Sequence, residues 1–182
     1  MSARAIFVDR DGTIIVDKDY LHKPTEVEFY PDALSALKRA QEAGFQIVMV
    51  TNQSGVGRCY FPMADVEKVH DYIAAEAAKL GGAFARIYVA PEAPDVPSRG
   101  RKPSPEFLFD ARGELGINLA QSYMIGDKLI DLECGWNAGV RKSLLVRTGY
   151  GAEVERRDQH KLRDSVVLNS LPEAIDWILA RS

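Results

Sequence analysis

The fold class predicted for this chain of 182 residues is α/β, a three-layer sandwich with a mostly parallel central sheet and no separate cap domain. Three observations predict it. Apolar runs of strand length alternate with amphipathic stretches of helix length along the whole sequence, which calls for βαβ units. The run Phe45 to Val50 is almost continuously apolar, as in a strand covered on both faces. Three runs end in polar residues, Asp9, Thr51 and Asp127, which in a parallel sheet would all meet on the carboxyl edge where ligands bind.

The elements follow in order. Ile6, Phe7 and Val8 form a first strand that delivers Asp9 to its end, with Asp11 and a glycine turn just beyond. Residues 14 to 30 are polar and irregular and suit a small flap. Pro31 opens a helix with Leu34, Leu37 and Ala40 on one face, and Gly44 stands where a C-terminal cap belongs. The strand Phe45 to Val50 runs into Thr51-Asn52-Gln53-Ser54-Gly55. Val66, Val69, Ile73, Ala77 and Leu80 give a second amphipathic helix, closed by Gly81-Gly82. Ile87 to Ala90 is a third strand. The following stretch holds Pro91, Pro94, Pro97, Pro103 and Pro105, and reads as a stiff, ordered excursion. A helix from about Pro105 to Leu115, a strand from Ser122 to Ile125, a helix from Leu129 to Ala138 and a strand from Leu144 to Val146 complete the main units. Residues 150 to 165 are expected to be charged and exposed, Val166 to Leu168 an edge strand, and Leu171 to Leu179 a closing helix.

Length and a 46% hydrophobic composition fit one domain over residues 1–182. The 23 basic and 26 acidic residues leave a net charge of −3, so no broad positive field serves nucleic acid or an anionic membrane. No apolar stretch approaches the roughly 20 residues of a membrane span, and a soluble cytoplasmic monomer is expected. Cys59 and Cys134 are far apart and signal neither a disulfide nor a cysteine-rich zinc site. His22, His70 and His160 show no ligand spacing, Gly55-Val56-Gly57 reads as a plain turn, and Trp136 and Trp177 read as packing residues.

The chemistry concentrates at the strand ends. Two carboxylates about 4 Å apart repel by roughly 4 kcal/mol at an effective dielectric near 20, so Asp9 and Asp11 together call for a cation or a proton. Taken alone, Asp-x-Asp-Gly is also an ordinary acidic turn, and Asp127 an ordinary helix N-cap. The loop after the third strand carries Arg101 and Lys102 to the same edge as the carboxylates.

Asp9-Arg10-Asp11-Gly12-Thr13, then Thr51, Lys102, and Gly126-Asp127 with Asp131, stand in the order of the four signatures of the haloacid dehalogenase superfamily, which the chain resembles over nearly its whole length. Thr-Asn-Gln-Ser-Gly at 51–55, Arg-Lys-Pro at 101–103, Tyr-Met-Ile-Gly-Asp-Lys at 123–128 and Leu-Val-Arg-Thr-Gly at 145–149 are similar to its branch of heptose-bisphosphate and histidinol-phosphate phosphatases. The resemblance implies a Rossmann-like sandwich and a Mg²⁺-dependent phosphatase acting through an aspartyl phosphate. Asp9 would be the nucleophile, and Asp11 would protonate the leaving group and then activate water. The metal would be held by Asp9, Asp127 and the main-chain carbonyl of Asp11, with Asp131 orienting a ligand or Lys102. Thr51 and Lys102 would hold the phosphoryl oxygens, and Arg101 the distal part of the substrate. Asp17, Lys18, Asp19, Tyr20, Asn52, Gln53, Ser54 and Lys128 would be further substrate contacts.

By the same resemblance the substrate is a small sugar phosphate, first the C7 phosphate of a heptose bisphosphate used in nucleotide-heptose synthesis for lipopolysaccharide. Histidinol phosphate or a broad range of small phosphomonoesters is the alternative. Many members carry a cysteine and histidine zinc site after the third strand. Residues 90–104 contain neither residue type, so no structural zinc is expected, and the prolines are the candidate source of stiffness. A non-catalytic sugar-phosphate binding protein would have lost a nucleophile or a metal ligand, and none is lost here.

Overall fold

The computed structural model describes residues 3–182. Six strands, β1 (Arg4–Val8), β2 (Phe45–Asn52), β3 (Arg86–Ala90), β4 (Tyr123–Gly126), β5 (Lys142–Val146) and β6 (Val166–Leu168), form one sheet in the order β3-β2-β1-β4-β5-β6. All five neighbouring pairs are parallel. Parallel neighbours need crossovers, and these are supplied by α1 (Ala33–Glu42), α2 (Ser54–Gly57), α3 (Met63–Lys79), α4 (Glu106–Leu115), α5 (Leu129–Ala138) and α6 (Gly151–Asp158), with α7 (Leu171–Leu179) closing the chain.

The two-residue period of a strand sorts the core into two layers. Ile6, Val8, Ile47 and Met49 face one way, against Ala36 and Ala40 of α1, Ile73 of α3 and Ile175 of α7. Ala5, Phe7, Val48 and Val50 face the other way, against Leu108 and Ala111 of α4 and Cys134 of α5. Connections change direction between β1 and β4, which places the crevice of an open α/β sheet at the carboxyl ends of these two central strands. The register Val8↔Ile125 and Val8↔Met49 carries Asp9, Thr51 and Asp127 to that edge together.

Two segments differ from expectation. Residues 150–165 are not simply an exposed charged stretch, because they contain α6 and a 3₁₀ turn at Gln159–Lys161. Val154 and Leu162 are buried there with Leu132 and Leu145 in a third small cluster. Two apolar anchors suffice to dock so short a helix, while its charges pair with one another along the outer face, as Arg157 does with Glu153 and Lys161 with Asp158. Gly55-Val56-Gly57, read as a plain turn, lies within the single helical turn Ser54–Gly57.

The flap of residues 14–30 has no long element but is anchored by buried Ile14, Ile15 and Leu21 and by the isolated bridges Asp11↔Ile15 and Ile15↔Phe29. Both cysteines are free, Cys59 exposed and Cys134 buried. Among the described residues no helix is long and apolar enough to cross a membrane.

Candidate active site

Asp9 leaves β1 with its backbone N–H bonded to the Ile125 carbonyl of β4 and its carboxylate almost enclosed. Lys102 reaches it from the proline-rich loop. Its ammonium donates to Asp9 Oδ1 at 2.7 Å and to the Val50 carbonyl at 2.8 Å, and lies 2.7 Å from Asp131 Oδ1. Two of its three donors are used in hydrogen bonds, and Asp131 adds an ion pair.

Burial alone would depress the Lys102 pKa, but the carboxylates of Asp131 and Asp9 outweigh it and drive the value up, so the lysine is a fixed positive charge. The loop that presents it is clamped by Asn52. The amide of that residue donates to the Lys102 carbonyl at 3.2 Å and accepts from the Lys102 N–H at 3.0 Å. Arg99 bridges from the loop to Asp110 and Glu106 of α4, Asn137 holds the Pro103 carbonyl, and the Lys102–Pro103 peptide is cis. Side-chain ties to its flanks therefore hold this segment in place.

Asp127 follows β4 and is completely enclosed. Its Oδ2 accepts from the Tyr150 N–H at 2.9 Å, while its Oδ1 has no hydrogen-bond partner among the described residues. One oxygen from each of Asp9, Asp127 and Asp131 lies within 4.8 Å of the others. Burial, opposed by Lys102 and reinforced by Asp131, pushes the Asp9 carboxyl up to about 6. Burial, then the charges of Asp131 and Asp9, push Asp127 up to about 8.

A buried carboxylate oxygen without a donor, beside two more carboxylates, suits a hard divalent cation with oxygen ligands such as Mg²⁺. The two oxygens of Asp131 are already engaged, by Lys102 and by the Lys128 N–H at 2.9 Å, which leaves that residue holding Lys102 and the first turn of α5. Gly12, at φ 83°, and Gly149, at φ 55°, crowd the Asp127 carboxylate so closely that a Cβ at either position would collide with it. These turns admit only glycine.

The Asp11 side chain stands outside that cluster. Arg10 grips both of its oxygens, Nε to Oδ2 at 2.9 Å and Nη2 to Oδ1 at 3.0 Å. Gln53 Nε2 donates to Asp11 Oδ2 at 2.9 Å and to Thr51 Oγ1 at 2.8 Å, and Gln53 Oε1 accepts from Arg10. Burial works against the Asp11 carboxylate, but the Arg10 charge and the bonds from Arg10 and Gln53 outweigh it and lower its pKa. Sequence reasoning did not single out Arg10 or its neighbour His70. Arg10 sat in view between two aspartates at the end of a buried strand, where an arginine must be fully paired. Nothing local pointed to His70, 60 residues away.

Asp9, Asp11, Asn52, Ser54, Arg101, Lys102, Lys128 and Asp131 share a recess of about 180 Å³. A second recess of about 170 Å³ adjoins it through Asp11, Asn52, Ser54 and Lys128, and adds Asp17, Asp19, Tyr20 and Gln53. Lys128 stands between the two, 3.1 Å from Asp17 and 4.8 Å over the Tyr150 ring. Arg101 is half-buried, donates to the Glu92 carbonyl, and has its pKa lowered by burial and by the charge of Arg58. Thr51 lies beneath the recess, buried against Gln53. Lys18, like Thr51, lines neither recess, and its ammonium turns outward to the Glu26 carbonyl and the Glu28 carboxylate.

Family profiles match in two overlapping parts, polynucleotide kinase 3 phosphatase over residues 4–131 and HAD-hydrolase-like over residues 100–174. A D-glycero-D-manno-heptose-1,7-bisphosphate 7-phosphatase from Chlorobaculum tepidum is 38% identical, covering 96% of this chain and 93% of that protein. The chain belongs to the haloacid dehalogenase superfamily. Within this superfamily, the D-glycero-beta-D-manno-heptose-1,7-bisphosphate 7-phosphatase of Escherichia coli strain K12 is also 38% identical over 96% of the chain. The solved structure of a D,D-heptose 1,7-bisphosphate phosphatase from B. bronchiseptica, complexed with magnesium and phosphate, superposes with a TM-score of 0.91. It is 31% identical, covering 98% of this chain and 99% of that one. Haloacid dehalogenase membership accounts for the all-parallel sheet and for the acidic cluster at its central switch point.

Proposed function

We infer that this chain is a Mg²⁺-dependent phosphatase that removes the C7 phosphate of D-glycero-D-manno-heptose 1,7-bisphosphate, working as one catalytic unit over residues 1–182. The observation that carries the reading is the Asp9 carboxylate at the floor of the crevice, paired with Lys102 and grouped with Asp127, one oxygen of which has no donor. Similarity to heptose bisphosphate phosphatases over nearly the full chain supports the substrate.

Asp9 attacks phosphorus and takes the phosphoryl group as an acyl phosphate, with no base needed to activate an ionised carboxylate. Asp11 must first take up a proton against the hold of Arg10 and Gln53 on its ionised form. It delivers that proton to the departing C7 alkoxide and regains one from the water that hydrolyses the acyl phosphate, so each half-reaction resets it. Lys102 and Thr51 hold phosphoryl oxygens whose charge shifts in the transition state. Mg²⁺ held by Asp9, Asp127 and the Asp11 carbonyl supplies charge neutralisation between two anions that would otherwise repel. Arg101 takes the far phosphate, for which a planar guanidinium fork is suited, and the rim residues Asp17, Asp19, Tyr20, Asn52, Ser54 and Lys128 meet the sugar. Gln53 meets the substrate only through the groups it holds, since both ends of its amide are already bonded.

The enzyme is expected to act on free sugar phosphate in the cytoplasm as a monomer. Turnover of the heptose bisphosphate, histidinol phosphate and a panel of simple esters tests the assignment. A clear preference in kcat/KM for the heptose bisphosphate is expected, and a preference for histidinol phosphate would overturn it.

A further inference from the structure

The Asp11 carboxylate is held by a chain of side chains that leaves the crevice and ends beneath α3. Arg10 is the largest nearly enclosed side chain among the described residues, 1% exposed, and touches only the wall of the second recess. A guanidinium stripped of water must be bonded on every side. Its Nε and Nη2 serve Asp11, and Nη2 also serves Gln53 Oε1 at 3.0 Å and the Leu21 carbonyl at 3.4 Å. The other terminal nitrogen, Nη1, meets His70 Nε2 at 3.3 Å.

Arginine has donors and no acceptor, so this contact requires an unprotonated Nε2, with the imidazole proton on Nδ1. Burial and the adjacent Arg10 charge, which outweigh Asp11, hold the His70 pKa down to about 4 and keep the ring neutral. His70 is buried in α3 and lines neither recess.

We propose that His70 is a positioning residue for proton transfer: its neutral Nε2 fixes the rotation of the Arg10 guanidinium, and Arg10 with Gln53 aims the Asp11 carboxylate at the leaving oxygen. The proposal rests on the reading of Asp11 as the proton donor. Without the acceptor at His70, a buried N–H of Arg10 is left without a partner, and the guanidinium turns to satisfy it at the expense of Asp11.

A leaving-group comparison separates positioning from mere support. An alkyl phosphate needs a proton on its departing oxygen, whereas the nitrophenolate of p-nitrophenyl phosphate leaves without one. His70→Leu fills the space without an acceptor and is expected to lower kcat/KM, which reports only transfer to Asp9, roughly 10-fold or more on the heptose bisphosphate, with that for p-nitrophenyl phosphate changed by less than about 2-fold. His70→Gln, which restores an acceptor, is expected to recover activity on the heptose bisphosphate and so remove the selectivity.

Asp11→Asn is the control and should show the same selectivity at roughly 100-fold in kcat/KM, which excludes the later hydrolysis of the acyl phosphate that both esters share. If Asp11→Asn lowers both esters equally, the acid role of Asp11 is wrong. If Asp11→Asn is selective while His70→Leu is inert or lowers both esters equally, the positioning role is wrong. Nitrogen NMR of the unaltered protein supplies a reading independent of any variant. An Nδ1–H tautomer with bare Nε2 at neutral pH is expected, and an Nε2–H tautomer would overturn the proposal.

Discussion

The floor and the rim of the crevice are held in different ways. The floor, Asp9, Lys102, Asp127 and Asp131, comes from strand ends, from the first turn of α5 and from one clamped loop, and every one of these side chains is buried. The rim comes from the flap, from the end of β2 and the residues after it, and from Arg101 and Lys128, and Tyr20 there is 44% exposed. Asp19, Tyr20 and Cys59 all adopt positive φ on these outer loops, and Tyr20 meets Tyr60 edge-on at 4.8 Å. Groups that exchange a phosphoryl unit need a fixed geometry and a low dielectric, which buried strand ends provide. Groups that recognise a sugar can stand on surface loops, where sequence change does not disturb the core.

This contrast can be broken from either side. The largest effect is expected at the floor, where Asp9→Asn should reduce kcat on every ester by at least about 1000-fold with little change in thermal stability. Next is Gly149→Ala, where the added methyl meets the Asp127 carboxylate and the positive φ is strained. Mg²⁺ affinity, read by calorimetry, should fall roughly 10- to 100-fold, as it does when a ligand's surroundings are disturbed. At the rim, Arg101→Ala should raise KM for the bisphosphate about 10-fold or more while leaving kcat on p-nitrophenyl phosphate within about 2-fold. Equal losses on both substrates would erase the distinction between floor and rim.

The smallest effect concerns pH. Asp9 and Asp127 stand at about 6 and about 8, above the ordinary value of 3.8, so the folded metal-free protein keeps protons that an unfolded chain has released. The stability these groups contribute is fully present below about pH 4 and is lost as pH rises through about 6 and about 8. Mg²⁺ replaces those protons, so the increase in melting temperature that it causes should grow by a few degrees between about pH 5 and about pH 8.5. A constant or shrinking increment in a melting series would show that the acidic cluster is not where the metal binds.

The floor was more legible in the sequence than the ties behind it. Asp9, Thr51 and Asp127 each close a buried apolar run, so the strand-end rule brings them together from positions over a hundred residues apart. Their roles came from resemblance to a family, since a carboxylate at a turn looks the same whether it caps a helix or attacks phosphorus. The helix α6 was hidden because its buried apolar anchor Val154, and Leu162 just beyond it, are outnumbered by charges that pair with each other. Lys18 looked like its neighbours Asp17 and Asp19, but its long side chain finds Glu28 on the outer surface. The contact of Arg10 with His70 depends on how α3 packs over the flap, and no local pattern encodes it.

The central claim, that Asp9 itself takes the phosphoryl group, is tested most directly by quenching the enzyme in acid during turnover of the heptose bisphosphate, reducing the acyl phosphate with borohydride and sequencing the peptides by mass spectrometry. Conversion of Asp9 to homoserine, dependent on substrate and Mg²⁺, is the expected result. An unmodified Asp9 with the modification at another carboxylate, or no covalent species under conditions where phosphate is released, would contradict it.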